Sequence, residues 1–173
     1  IGSGTLTFQK ASDSPSSATV PNSSGVVLAK YNANPTGEDM ELRQVSFYIS
    51  SSSGVTALNG TVYVKVNGAT VYSASAASLS GTSAVTVNLS SWPILTKGVN
   101  NPITVETSIP SAATASDNYI VKQFDLIQVR RLVTLDLLDP GVSASDANQI
   151  SVQAANLAVT TLSTPVANSV VTG

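Results

Sequence analysis

Apolar and polar residues alternate with a period of two along most of this chain. Leu6 and Phe8 are separated by threonine in GTLTFQK. Val45, Phe47 and Ile49 share one face of RQVSFYIS, with Ser46 and Tyr48 on the other. Val62, Val64 and Val66 oppose Tyr63 and Lys65 in TVYVKV. A period of two is what a strand shows when one face is buried and the other is not. The run GVVLAKY at 25–31 predicts a further strand. So do Val85, Val87 and Leu89; Ile103, Val105, Thr107 and Ile109; and a longer stretch from about Tyr119 to Leu137. Asn67-Gly68 is a strong signal for a tight two-residue turn, so residues 61–74 read as a hairpin. SSSSG, SLSGTS, KGVNNP and PSAATASDN, which separate these runs, have turn and loop compositions. No stretch repeats as an amphipathic helix. Short strands and frequent turns predict an all-β fold, an immunoglobulin-like antiparallel β-sandwich over residues 1–138. Trp92, just before Pro93 in SSWPIL, is expected in a loop that plugs one end of the core.

From Asp139 the pattern changes. DPGVSASDANQ reads as a linker. It is followed by ISVQAANLAVTTL, where Ile150, Val152 and Ala154 alternate, then Leu157, Val159 and Thr161. Residues 139–173 are therefore expected to be a linker plus C-terminal strand that pairs with the same subunit or with a neighbour. NSVVTG followed by IGSGTLTF reads as a junction between copies. The chain starts without an initiator methionine or a signal peptide, as expected of a processed chain or a piece of a longer one.

Composition narrows the chemistry. Charged residues are 10% and aromatics 5%, while 27 Ser and 18 Thr supply most of the polar surface. The net charge of −2 argues against nucleic acid, because phosphate binding needs clustered Lys and Arg. Arg130-Arg131, the one adjacent basic pair, lies inside an apolar strand pattern. No apolar window is long enough to span a membrane. His and Cys are both 0, which removes disulfides, imidazole bases, Ser-His-Asp and Cys-His catalysis, and most zinc chemistry. The expectation is a protein that is not an enzyme.

Several groups are candidates for binding. Glu38, Asp39 and Glu41 crowd the start of a strand, and carboxylates are the ligands Ca²⁺ prefers. Asp136 and Asp139, with Asp146 beyond them, form a second candidate Ca²⁺ locus. Against this, the spacing does not follow the Asp-x-Asp-x-Asp-Gly loop. Turn and strand-entry chemistry accounts for both groups, with Lys30 or Arg43 as partners for the first. Otherwise no cofactor is expected. Neighbouring acids on a strand point to opposite faces, so they do not make a glycosidase pair. Asn22, Asn59 and Asn88 begin N-glycosylation triplets. Lys10, Lys30 and Lys122 are placed to meet Asn or Asp across a core, an arrangement that can close isopeptide crosslinks. Tyr63, Tyr72 and Trp92 are candidates for stacking on carbohydrate.

The succession GTLTFQKASDSPSSATVPNSSGVVLAKY, TGEDMELRQVSFYI, LNGTVYVKVNGATVYSASAASL and WPILTKGVNNPITVETSIPSAATASDN resembles the Ig-like repeats of large secreted surface proteins of uncultured bacteria. The resemblance covers residues 4 to about 120 and includes no catalytic motif. It implies an extracellular structural or adhesive role at the cell surface. Taken with the late alternating strand, it predicts a structural subunit of a filament, pilus-like fibre or surface layer. Identical subunits would polymerise head to tail by strand addition, with Leu6, Phe8, Ile150, Val152, Leu157 and Val159 as interface residues. The alternative is a carbohydrate-binding or adhesive module.

Overall fold

The computed structural model describes residues 4–19, 21–52 and 60–154. Along it run β1 (Thr5–Lys10), β2 (Val26–Thr36), β3 (Met40–Ser51), β4 (Thr61–Val66) and β5 (Ala69–Ser75). One turn of helix, α1 (Ala76–Leu79), precedes β6 (Val85–Asn88), β7 (Ile94–Leu95) and β8 (Asn101–Thr107). The described chain closes with β9 (Asn118–Arg131), β10 (Leu137–Leu138) and β11 (Ile150–Ser151). These strands build two antiparallel sheets of a β-sandwich. The first has the order β1-β2-β8-β4-β5. The second has the order β10-β9-β3-β6, with β11 also on β9 and β7 on β3.

The expected hairpin forms as β4 and β5, and both turn residues have positive φ, Asn67 at 51° and Gly68 at 83°. This mirror-image turn matches the right-handed twist of the strands it joins. Val62, Val64 and Val66 point inward, as their alternation predicts, and face residues such as Phe47 and Ile49 of the second sheet. Strict alternation fails in the two longest strands. In β3 the buried face passes from Leu42 to Val45, and in β9 from Val121 to Phe124 and from Leu126 to Val129. Bulges absorb each slip, one of them with Gln123 at φ 51°, so the apolar side chains return to the core face. Four aromatic rings stack across the middle of the sandwich. Phe8 lies 5.3 Å from Tyr31, Tyr31 4.6 Å from Phe124, and Phe124 5.3 Å from Phe47. The Tyr31–Phe124 step crosses from one sheet to the other.

Two expectations are corrected. The long strand from Tyr119 ends at Arg131, where Leu135 takes φ 64° and the Arg131 N–H donates to the Asp136 carbonyl. The chain then turns back as β10 beside Val129 and Arg130, so one predicted strand is a hairpin. Trp92 does not plug the core. It is 55% exposed, with the Arg43 guanidinium 3.5 Å from its ring centroid, a cation–π contact on the outside of the second sheet.

Residues 145–152 pack on the sandwich of residues 4–138. Ser145 pairs with Phe124, the Ala147 N–H donates to Val121, and Ile150 and Ser151 pair with Tyr119 and Asn118. Ala147, Ile150 and Val152 are buried, so the core shared with residues 4–138 extends to Val152. Of the two pairings expected for this region, Ile150 and Ser151 take the one within the same subunit.

Candidate functional site

The acidic knot is pulled apart by its own chain. Glu38 is buried and accepts the N–H groups of Val133 at 2.8 Å and Thr134 at 3.2 Å, with Arg131 at 3.8 Å. Asp39 accepts the Lys97 N–H at 2.8 Å, and Glu41 pairs with Arg43. The turn into β3 is the cause: Glu38 and Asp39 precede the strand and reach different partners, and only Glu41 lies on β3 itself. Asp136 faces Arg131 at 3.8 Å, while Asp139 closes a local turn on the Gly141 N–H at 2.7 Å. Among the described residues no three acidic side chains come together to hold a metal ion.

Glu38 therefore clamps the β9–β10 turn onto the start of β3. Burial by itself would raise its pKa, but the Val133 and Thr134 N–H groups and the Arg131 charge outweigh it and hold the carboxyl below its usual value. Asp146 is also held low, by the Gln123 N–H and by Lys122. A carboxyl with a depressed folded-state pKa stabilises the fold above its unfolded value and loses that contribution as pH falls through the folded value. The melting temperature is thus expected to stay level down to about pH 5 and to drop below about pH 4. Thermal melts from pH 7 to 2 measure this, and Glu38→Gln should flatten part of the acid limb.

The three lysines meet Asn or Asp, but at the exposed surface and not across the core. Lys10 donates to Asn148 at 2.7 Å, Lys30 to Asp13 at 2.8 Å and Lys122 to Asp146 at 2.8 Å. The Lys10 bond ties the first strand to the last segment across the rim of the sandwich. Asn22 and Asn88 are exposed, Asn22 in a turn and Asn88 accepting from Gln44; Asn59 lies outside the described residues. Tyr63 and Trp92 are exposed on the outer faces of different sheets, so they do not form one stacking platform; Tyr72 is half-buried against the core.

Leu6, Ile150 and Val152 direct their side chains into their own core, and half-buried Phe8 packs on Tyr31; Leu157 and Val159 lie outside the described residues. What the first strand offers a neighbour is its main chain. β1 pairs with β2 on one side only, from Thr5 opposite Thr36 to Lys10 opposite Tyr31. The Ala11 N–H donates to the Lys30 carbonyl, and Pro35, which has no N–H, stands opposite Leu6. By that parity Thr5, Thr7 and Gln9 bond toward β2, while the N–H and C=O groups of Leu6, Phe8 and Lys10 point away from it. On that side they make no main-chain hydrogen bond to another described residue.

The other edges are blunted. Ser90 caps the Val71 carbonyl of β5 with both its N–H and its hydroxyl, each at 2.7 Å. β6 has four residues, and β9 is lined by β10, Ser145, Ala147 and β11. Charges and short strands are the usual protection of a sheet edge, and Thr5 to Gln9 carry none. Beside the Thr5 end the two sheets part around a groove of about 100 Å³, lined by Leu6, Met40, Val129, Arg131, Leu138 and Pro140. On the adjoining β9–β10 turn and β10, Val133, Leu135 and Leu137 are 69%, 58% and 56% exposed. Leu6 and Phe8 are expected from the sequence as interface side chains, whereas both pack inward; the edge position of β1 was not legible, because an edge strand is defined by which neighbour it lacks.

Fold and edge together define an antiparallel β-sandwich in which, among the described residues, the outer edge of β1 is uncovered. No protein-family model matches the chain, and no curated protein matches its sequence. Among the described residues no helix is long and apolar enough to cross a membrane.

Proposed function

We propose that the protein is a structural subunit of an extracellular assembly, a filament, pilus-like fibre or surface layer, whose copies join head to tail by strand addition. The observation that carries this reading is the edge of β1, where the outward main-chain groups of Leu6, Phe8 and Lys10 have no main-chain partner among the described residues, beside a groove lined by Leu6, Met40, Val129 and Leu138 together with Arg131. A strand laid there gains ladder hydrogen bonds for affinity, and its alternate side chains set the register. The low-charge, Ser- and Thr-rich surface supports an extracellular setting and lets subunits approach without desolvating many ions.

Negative-stain electron microscopy of the purified chain, with and without EDTA, tests the reading. Ordered filaments or sheets that survive EDTA are expected. Assemblies that dissolve in EDTA would shift the contact to carboxylate-bound Ca²⁺. Monodisperse monomers under both conditions would overturn it.

A further inference from the structure

The poles of the sandwich differ in a way that names the incoming strand. β9 runs from Asn118 at one pole to Arg131 at the other, and Val129 and Arg131 line the groove at the second pole. The last described residues sit at the first pole. Val152 bridges Thr19 and donates its N–H to Asp117, and the Gln153 N–H donates to Thr19. Fourteen residues of strand separate the two places, roughly 40 Å at about 3.3 Å per residue. Direction matters as well. β11 is antiparallel to β9, so the chain at Ile150–Val152 is heading away from the groove when it leaves the sandwich.

We infer that the groove and the free edge of β1 receive residues 155–173 of a second copy of this chain. This rests on the strand-addition reading above and adds donor, acceptor and direction to it. Residues 155–173 contain no Asp, Glu, Lys or Arg, so they enter a rim that is uncharged from Thr5 to Gln9 without stripping water from an ion. In an extended strand Leu157, Val159 and Thr161 would share one face, matching the inward face of β1 that carries Leu6 and Phe8. Pro165 has no N–H to add to a ladder, which confines pairing to Ala155–Thr164, longer than the six residues of β1. A copy displaced along the long axis sends its tail into the groove at the Thr5 end, and from there the tail runs parallel to β1. Donor and acceptor lie at opposite poles, so the contact is heterologous and propagates as an open chain.

Because the protein has no cysteine, paired thiols report this contact without background. The full chain carrying P140C with L157C, and separately T5C with N156C on the outward face, is oxidised under assembly conditions. V159C and T161C replace L157C as a register series. The expected result is a ladder of covalent multimers on non-reducing gels, strongest for L157C and weaker as the tail thiol moves on. T5C, on an exposed site, reads the contact if P140C disturbs the fold. A closed covalent monomer would overturn the inference, since the tail would then lie on its own β1. Filaments that form normally but give no ladder with any pair would also overturn it while leaving strand addition by another segment standing. Unsubstituted chain that never assembles would take down the underlying reading and this inference together.

Discussion

Replacing Phe124 by alanine is expected to lower the unfolding free energy by about 3–5 kcal/mol, the usual cost of emptying a fully packed aromatic site. Phe124 has no exposed surface and touches three rings: Tyr31 at 4.6 Å, Phe47 at 5.3 Å and Phe8 at 6.0 Å. Phe8 and Tyr31 belong to the first sheet, Phe47 and Phe124 to the second, so the ring is a principal contact between the layers. Aromatics are 5% of the chain, and the smaller aliphatic neighbours cannot swing in to fill the void. The substitution removes both transfer energy and ring–ring contact, the latter about 0.5–1.5 kcal/mol per pair. Urea denaturation followed by circular dichroism measures the loss. Phe124→Leu should cost less than half as much. A loss of under about 1 kcal/mol for Phe124→Ala would show that the sheets are held together elsewhere.

Asn101→Ala is expected to cost about 2–4 kcal/mol, although it removes only a small polar group. Asn101 is 1% exposed. Its amide nitrogen donates to the carbonyls of Ala33 at 3.1 Å, Thr96 at 3.0 Å and Val99 at 3.1 Å. Its oxygen accepts from the Thr96 N–H at 3.0 Å and from Asn67 at 3.2 Å. The side chain thus replaces a strand as the partner of the turn between β7 and β8 and joins that turn to the β4–β5 hairpin. Alanine leaves the buried Ala33 carbonyl and the part-buried Thr96 and Val99 groups without this partner. Asn101→Asp should be at least as damaging, because a carboxylate would face three carbonyl oxygens. A midpoint shift in denaturant with unchanged slope would show that both variants act on stability alone. Wild-type-like stability of Asn101→Ala would mean that water replaces the network.

Local physics was legible in the chain. Val45, Phe47 and Ile49, and Val62, Val64 and Val66, could be assigned to one face each because a strand repeats every two residues wherever it sits. Asn67-Gly68 could be assigned to a hairpin because the turn demands positive φ at adjacent positions. The reading lost accuracy where alternation is broken by bulges, as at Gln123, since a slipped register looks like a longer or poorer strand. It missed the turn at Leu135 because an apolar residue gives no sign that it will adopt a left-handed conformation. Asn101 went unnoticed inside KGVNNP, where asparagine is ordinary loop composition. Only burial distinguishes it, and burial depends on neighbours far along the chain. The acidic knot was legible as a cluster and as a strand entry. Its actual partners, Val133 and Thr134 for Glu38 and Lys97 for Asp39, were not.

The division follows from range. The sequence alone determined an all-β protein with little charge and no histidine or cysteine chemistry, because strand period, turn residues and composition act between near neighbours. The tertiary structure alone decided the order β1-β2-β8-β4-β5, and with it that among the described residues β1 has a strand partner on one side only. That order arises from pairings between residues far apart in the chain, such as Tyr31 with Ile103 and Val64 with Val105. Such contacts form when two apolar faces exclude water together, and no short stretch of sequence records which faces will meet.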